Sequence, residues 1–154
     1  MEVVVAAVGR AGSGLLAPAL EDYRARAARY WPLAVREVKP EPGRSLPAAE
    51  VRDREWGRLR RVVGDGGDLV ACDEGGDRLS SEAFARWLRE RREAGTTVTF
   101  LVGGASGLAA DALSACGRRL SLAPWTLPHE LARLVLLEQL YRAGTILAGE
   151  PYHR

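Results

Sequence analysis

The side chains best suited to move a proton lie near the end of this 154-residue chain. Its two histidines are His129, directly after a proline-rich segment, and His153, in the last residues. An unperturbed imidazole has a pKa of about 6.5, which suits a general base near neutral pH. A lone histidine is usually structural or simply exposed, but two histidines at the edges of one predicted site favour proton transfer.

The C-terminal tail places Tyr152, His153 and Arg154 in succession. A tyrosine ring can stack on a nucleobase, and a guanidinium can hold a phosphate. The alternative is an ordinary frayed terminus. On the preceding predicted helix, Glu138 and Arg142 are four residues apart and are spaced to pair with each other.

Two glycine-rich segments follow predicted strands. The first, GRAGSG at residues 9–14, matches neither GxGxxG nor the phosphate loop GxxxxGK[ST], so a turn is favoured over dinucleotide binding. The second, GGASG at residues 103–107, precedes a short predicted helix that offers free amide donors to a ligand. Its serine lies outside a GxSxG elbow, which argues against serine hydrolysis.

Three distinctive segments lie at the carboxyl ends of neighbouring predicted strands: residues 72–75, 103–107 and 122–128. Ligands of parallel sheets bind at this edge. The third segment, LAPWTLP, has two prolines and few polar side chains, so it would hold a ligand through backbone and apolar contacts. This chemistry suits an adenine ring better than a phosphate, and the sequence therefore predicts a site for a nucleotide-like small molecule.

The elements that position these segments alternate between strand and helix. Strands are predicted over residues 3–8, 33–38, 68–73, 97–102 and 120–122. Helices are predicted over residues 15–30, in the arginine-rich stretch up to about residue 63, after Ser80 or Ser81, and over residues 108–116 and 129–147. This pattern predicts an α/β fold, with a mostly parallel sheet covered by helices on both faces, in a single domain over residues 1–154. The polar stretch 39–61 is expected to be partly mobile.

The last predicted helix is apolar around nearly its whole circumference. Such a helix is buried on more than one side. Its second buried side is explained equally well by a partner subunit and by a position in the centre of the core.

The composition excludes several classes of protein. The net charge of +2 neither demands nor excludes an anionic partner, and the preference for arginine over lysine is attributed to genomic base composition rather than to phosphate recognition. Cys72 and Cys116 are expected to be reduced, buried thiols of a cytoplasmic protein. No secretion signal, membrane-spanning run or metal-ligand spacing is present in the sequence.

Several of these segments together resemble the RlmH family. They are GGASGL at residues 103–108, TLPH at 126–129, Arg133 followed by EQLYRA at 138–143, and YHR at 152–154. Members of this family are bacterial SPOUT methyltransferases that methylate N3 of a pseudouridine in large-subunit ribosomal RNA. The likeness covers the whole chain, and the C-terminal motifs are specific in combination.

The resemblance implies a C-terminal trefoil knot, which is an exception to the usual absence of threaded loops. It also implies a homodimer, with the last helix in or near the interface, and an RNA substrate within the assembled ribosome. S-adenosylmethionine is expected to lie against Cys72, Gly103, Leu122, Ala123, Pro124, Trp125, Thr126 and Leu127. The family commonly has leucine where this chain has Cys72, whose backbone can still serve the cofactor.

The resemblance also implies a reaction, namely methyl transfer to N3 of a flipped-out base. Because N3 carries a proton, His153 and His129 are the candidate bases. Arg154 and Arg142 would hold phosphate or stabilise the developing anion, and Tyr152 would stack on the base. Positioning of the two reactants alone can contribute about 7–11 kcal/mol.

Two other functions compete with this one. A non-enzymatic ribosome-binding protein would use the arginine-rich helix faces and would bind RNA without binding S-adenosylmethionine. A nicotinamide-dependent oxidoreductase would need the first glycine segment to hold a pyrophosphate, and the spacing of its glycines argues against this.

Overall fold

The computed structural model describes residues 1–42 and 44–153. Over these ranges the strands are β1 (Val3–Val8), β2 (Leu33–Val38), β3 (Asp68–Arg78), β4 (Val98–Val102) and β5 (Arg118–Ser121). The helices are α1 (Ala17–Ala27), α2 (Ala48–Val62), α3 (Ser81–Glu93), α4 (Ala110–Ala115) and α5 (His129–Leu147), followed by a 3₁₀ turn over Pro151–His153.

The strands form one parallel sheet in the order β2-β1-β4-β3-β5. Both β1 and β4 are buried along their whole length, because helices cover both faces of the sheet. This double burial explains why these strands are continuous apolar runs rather than alternating patterns. The predicted parallel α/β fold with helices on both faces is confirmed, whereas the C-terminal knot stays a prediction.

Alternate residues of β1 face two separate hydrophobic layers. Val3, Val5 and Ala7 pack with side chains of α1, α3 and α5, whereas Ala6 and Val8 pack with side chains of α2 and α4. The sheet is therefore the middle layer of three.

The helix α5 lies between α1 and α3 in the first of these layers. Its Leu136, Leu137 and Leu140 are almost completely buried. At its end, a Cβ added to Gly144 would collide with the side chain of Tyr30, so glycine permits the close approach of α5 to the segment that follows α1. Core packing thus accounts for much of the apolar circumference of α5, and a role at a subunit interface stays a prediction.

The predicted end of the third strand at Asp73 was wrong. The strand β3 continues to Arg78 because it pairs with β5 on both sides of a bulge. Cys72 and Asp77 both lie opposite Leu120, so residues 73–76 loop out of the ladder. The last strand also begins at Arg118, two residues earlier than predicted.

The start of α3 agrees with the prediction from its serines. The side chain of Ser80 accepts a hydrogen bond from the backbone N–H of Ala83 (3.1 Å), which satisfies a free donor of the first turn.

Most of the polar stretch that the sequence predicts as mobile is the helix α2. Arg58 forms an ion pair with Glu41 and also donates a hydrogen bond to the backbone oxygen of Lys39 (3.0 Å). Arg54 pairs with Glu50 at 2.7 Å on the outer face of the helix. The contacts of Arg58 connect the arginine-rich helix to the segment before it and argue against mobility of this stretch.

Candidate functional site

A cleft of about 840 Å³ opens at the carboxyl ends of β3, β4 and β5. Its volume lies within the range of about 300–1,000 Å³ that is usual for small-molecule sites. The cleft brings together the three segments that the sequence predicts to converge, and we call it the strand-end cleft. Of the predicted cofactor-binding positions, its walls contain Cys72, Gly103, Leu122, Ala123, Trp125, Thr126 and Leu127. Pro124 is exposed and does not line it.

The turn after β4 forms one wall from backbone groups. A Cβ at Gly103 would lie 2.7 Å from the carbonyl carbon of Gly107, a distance that real Cβ atoms do not show. Gly107 has a φ of +82°, and its N–H donates to the oxygen of Gly104 (3.0 Å). Glycine at these positions therefore closes the turn and leaves its backbone open to a ligand.

The bulge of β3 forms another part of the wall. Asp73 and Glu74 lie in this bulge and line the cleft, and the hydroxyl of Thr126 donates a hydrogen bond to the carboxylate of Glu74. Burial raises the pKa of the neighbouring Cys72 thiol to about 12. Cys72 therefore stays a neutral thiol near pH 7. It forms part of the wall of the cleft and does not act as a nucleophile.

The segment after β5 completes the cleft. Its turn is held by Ser121, whose hydroxyl donates to the backbone oxygen of Ala123 (2.7 Å). Trp125 lines the cleft, yet 76% of its surface is exposed. A large aromatic ring is thus held beside the cleft with most of its surface free to contact a ligand or a macromolecule.

His129 is the first residue of α5 and lies at the end of the strand-end cleft. It also lines a second, smaller cavity of about 330 Å³. Its imidazole packs against Gly9, where an added Cβ would lie 3.5 Å from Nε2. The structure thus places this predicted base at the boundary between two cavities.

One turn after His129, Arg133 holds the first glycine-rich segment in place. Only 2% of Arg133 is exposed, and its guanidinium donates to the oxygen of Gly9 (2.7 Å) and pairs with Glu37 (2.6 Å). Glu37 also accepts a hydrogen bond from the N–H of Ala11 (2.7 Å). These contacts agree with the interpretation of residues 9–14 as a turn, and they fix that turn beside His129.

Sequence reasoning assigned no role to Arg133 or to Arg52. Arg52 reaches from α2 into the strand-end cleft and donates to the backbone oxygen of Ser106 (3.4 Å). The spacing of Arg133 could have identified it as a site residue, because it follows His129 by four residues and therefore lies on the same helix face. No sequence feature distinguishes Arg52, since it lies among other arginines with the same local pattern.

The C-terminal turn packs on α5 and forms a group of side chains that we call the tail cluster: Tyr23, Glu138, Tyr141, Arg142 and Tyr152. The hydroxyl of Tyr152 donates to Glu138 (3.1 Å), and its ring centroid lies 4.5 Å from that of Tyr141. Arg142 lies 4.8 Å from the centroid of the Tyr152 ring and donates to Glu138 at 3.0 and 2.8 Å. The predicted pairing of Glu138 with Arg142 is therefore confirmed.

The polar groups of the tail cluster form hydrogen bonds with one another. Burial raises the pKa of the Tyr152 hydroxyl well above its ordinary value, and the hydrogen bonds to Glu138 raise the pKa of Arg142. Neither Tyr152 nor Arg142 lines the strand-end cleft of the same chain. The structure therefore divides the predicted catalytic residues between two regions.

The predicted roles of Arg154 and of the His153 side chain lie outside the described residues.

Within residues 1–42 and 44–153, no group of acidic, histidine or cysteine side chains is arranged to hold a metal ion. The helices in those ranges are also too short or too polar to span a membrane.

Comparison with known proteins agrees with this arrangement. The family model described as "Predicted SPOUT methyltransferase" matches residues 1–153. Two relatives are named ribosomal RNA large subunit methyltransferase H. One, from Gemmatimonas aurantiaca, is 54% identical, and the other, from Anaeromyxobacter sp. strain K, is 47% identical; both matches cover 100% of each chain. A probable methylase family protein from Haemophilus influenzae Rd KW20 shares the fold, with a TM-score of 0.51 at 12% identity over 99% of this chain and 70% of that one.

Proposed function

Because the chain belongs to the SPOUT methyltransferase family, we propose that it transfers a methyl group from S-adenosylmethionine to N3 of a pseudouridine in large-subunit ribosomal RNA. The names of its full-length relatives support the RNA substrate, and the resemblance to the RlmH family supports the base and the atom. The proposed substrate is the RNA within the assembled ribosome, in the cytoplasm. The strand-end cleft is the structural observation that carries this proposal.

The residues of the strand-end cleft fit S-adenosylmethionine. The backbone of residues 103–107 and the apolar segment 122–127 suit an adenine ring, which needs hydrogen bonds and apolar contact rather than charge. The carboxylates of Asp73 and Glu74 lie in the same cleft and complement a cationic ligand. When bound, this cofactor supplies an electrophilic methyl group on a positively charged sulfur.

The proposed reaction requires removal of the proton on N3 before or during methyl transfer. The position of His129 at the edge of the cleft supports it as the base. Its ring lies beside Gly9, whose carbonyl accepts a hydrogen bond from Arg133. A base must lie within hydrogen-bond reach of the proton that it removes. His153 is the other candidate.

The proposed site is completed by a second copy of the chain. Tyr152 and Arg142 carry the chemistry for contacting RNA, but they do not line the cleft of their own chain. The apolar side chains of Leu15, fully exposed, and Leu131, 36% exposed, lie near the starts of α1 and α5 and are available for contact with another surface. In the proposed homodimer, the tail of one copy reaches the cleft of its partner.

The direct test uses ribosomes from a bacterial strain that lacks this methyltransferase. Purified protein is incubated with these ribosomes and isotopically labelled S-adenosylmethionine, and the RNA is digested and analysed by mass spectrometry. The expected product is a single N3-methylpseudouridine in the large-subunit RNA. Absence of label from pseudouridine overturns the proposed reaction, and ribosome binding without cofactor binding in calorimetry favours a non-enzymatic role.

A further inference from the structure

The cavity of about 330 Å³ that His129 lines lies directly beside the strand-end cleft. The two cavities share His129 and the residues Gly104, Ala105 and Ser106. Its volume is at the lower end of the range of about 300–1,000 Å³ for small-molecule sites. A compact, flat group in this second cavity would therefore lie next to a cofactor in the cleft.

The wall of this cavity contains the carboxylate of Glu55, which comes from α2. Only 4% of Glu55 is exposed. Its Oε1 accepts a hydrogen bond from the backbone N–H of Glu41 (3.1 Å), whereas its Oε2 has no hydrogen-bond partner in the part of the chain that the structure describes. A Cβ at Gly104 would lie 2.9 Å from Oε2, so the absence of a side chain at this position makes room for the carboxylate.

An unpaired acceptor buried in this way costs free energy and calls for a physical explanation. Bulk water does not satisfy Oε2, because this atom exposes less than 1 Å² of surface. Oε2 lies beside Gly104, which lines the cavity, and the broad terminal torsion of a glutamate permits the small adjustment that a donor in the cavity would require. A hydrogen-bond donor inside the cavity would satisfy this oxygen.

Resting on the function proposed above, we propose that the second cavity holds the target base and that Glu55 accepts a hydrogen bond from N1–H of pseudouridine. In uridine, N1 is bonded to the ribose and carries no hydrogen. In pseudouridine the ribose is bonded to C5, which leaves N1–H free to donate. A carboxylate at this point therefore distinguishes pseudouridine from uridine.

The strength of this discrimination follows from the burial of Glu55. A site built to bind a polar group through a buried partner rejects an analogue that lacks the group by factors up to about 10⁴–10⁵. Uridine would leave Oε2 unpaired next to an apolar ring atom. Pseudouridine would supply a charge-assisted hydrogen bond, which is stronger than one between neutral groups.

The testing variant is Glu55→Gln, which changes the polarity of a single atom. The N–H of Glu41 requires an acceptor and so keeps the amide oxygen on its own side. The amide NH₂ then takes the position of Oε2 and presents a donor to N1–H. The matched control is Glu50→Gln on the exposed face of the same helix, where the carboxylate pairs only with Arg54 among the described residues.

Single-turnover methylation is measured on ribosomes that carry either pseudouridine or uridine at the target position. We expect wild type and Glu50→Gln to prefer pseudouridine by at least about 100-fold. Glu55→Gln should lose at least about tenfold of this preference, through a slower reaction with pseudouridine alone. Affinity for S-adenosylmethionine, measured by calorimetry, should stay within threefold of wild type.

An unchanged preference in Glu55→Gln, or an equal loss on both ribosomes, would overturn the assignment of Glu55. No methylation by wild type on either ribosome would instead overturn the proposed function. Should the amide variant unfold, Glu55→Met repeats the measurement, because it removes the unpaired acceptor and keeps a side chain of similar length. Full preference for pseudouridine in Glu55→Met likewise contradicts the assignment.

Discussion

The strand-end cleft and the tail cluster are built in different ways. The cleft has walls of backbone, glycine and apolar side chains, together with the carboxylates of Asp73 and Glu74. In the tail cluster, Glu138, Arg142 and Tyr152 satisfy one another. The cleft is therefore formed without a ligand, whereas the RNA contacts proposed for the tail would replace contacts that it makes within the chain.

The cost of that exchange is modest. A hydrogen bond such as that between Tyr152 and Glu138 contributes about 0.5–1.5 kcal/mol, and an exposed contact between a cation and a ring contributes about 0.5–1 kcal/mol. Phosphate and base contacts are of comparable strength. On the proposed function, we expect changes in the cleft to alter cofactor affinity and changes in the tail to alter RNA-dependent activity.

The largest expected effect, on the rate of methyl transfer, shows which region supplies the general base. His129→Ala should lower the rate of methyl transfer by about 10²–10⁴-fold if the base lies at the cleft, since general-base catalysis contributes that much. His153→Ala is the parallel variant for the tail. The rate is measured under single-turnover conditions with saturating ribosomes. Near-normal rates in both variants would remove histidine from the mechanism.

A smaller effect tests the cleft by itself. In Gly103→Ala the added methyl meets the carbonyl carbon of Gly107 at 2.7 Å, so the turn has to open. Overpacking of this kind costs about 1–3 kcal/mol. If that cost falls on cofactor binding, affinity for S-adenosylmethionine drops by about 5–150-fold. Calorimetry measures the drop, and Gly12→Ala is the matched control because a Cβ there meets nothing within 4 Å. Equal affinities in the two variants would contradict a cofactor site at Gly103.

A mixing experiment tests whether the two regions meet across subunits. Gly103→Ala impairs the cleft, and Arg142→Ala should impair activity while leaving cofactor affinity unchanged. Mixed copies that exchange subunits should recover up to about a quarter of wild-type activity, because half of the symmetric dimers become mixed and each has one intact site. Activity no higher than the average of the two variants would show that one chain supplies the whole site.

The smallest effect concerns the docking of the tail. Tyr152→Phe removes the hydrogen bond to Glu138 and keeps the ring against Tyr141. The free energy of unfolding should fall by about 0.5–1.5 kcal/mol, with no change in cofactor affinity. Urea denaturation followed by circular dichroism measures the first quantity. A loss of cofactor affinity would instead show that the tail cluster contributes to cofactor binding. The two regions would then not have separate functions.

Elements with strong local patterns were predictable from the sequence. The bounds of β1 and α5 match their predictions, because β1 is buried on both faces and α5 has an unbroken helical pattern. The end of β3 was not predictable. Its five extra residues include two glycines, which usually end a strand, and the pairing with β5 resumes only after them, at Asp77.

The candidate site shows the same division. Gly103 and the segment 122–127 carry local signatures of glycine and proline chemistry, so the sequence pointed to them. Glu55 looks like an ordinary charged residue of an amphipathic helix, and its importance appears only through its burial. The burial of Arg133 is likewise not evident from the residues around it in the sequence. For the tail, the residue types in the sequence suggested contact with RNA, but its packing on α5 was not evident from the sequence.

By itself, the sequence determined the α/β class, the parallel sheet, the family and the three segments around the strand-end cleft, because periodicity and turn chemistry are local properties. The tertiary structure decided which charged side chains are buried, which cavities lie side by side and where the tail packs. These features depend on contacts between residues far apart in the chain, such as Arg133 with Gly9 and Glu55 with Gly104. No local pattern records such a contact, since the same residue types occur just as readily on a solvated helix face.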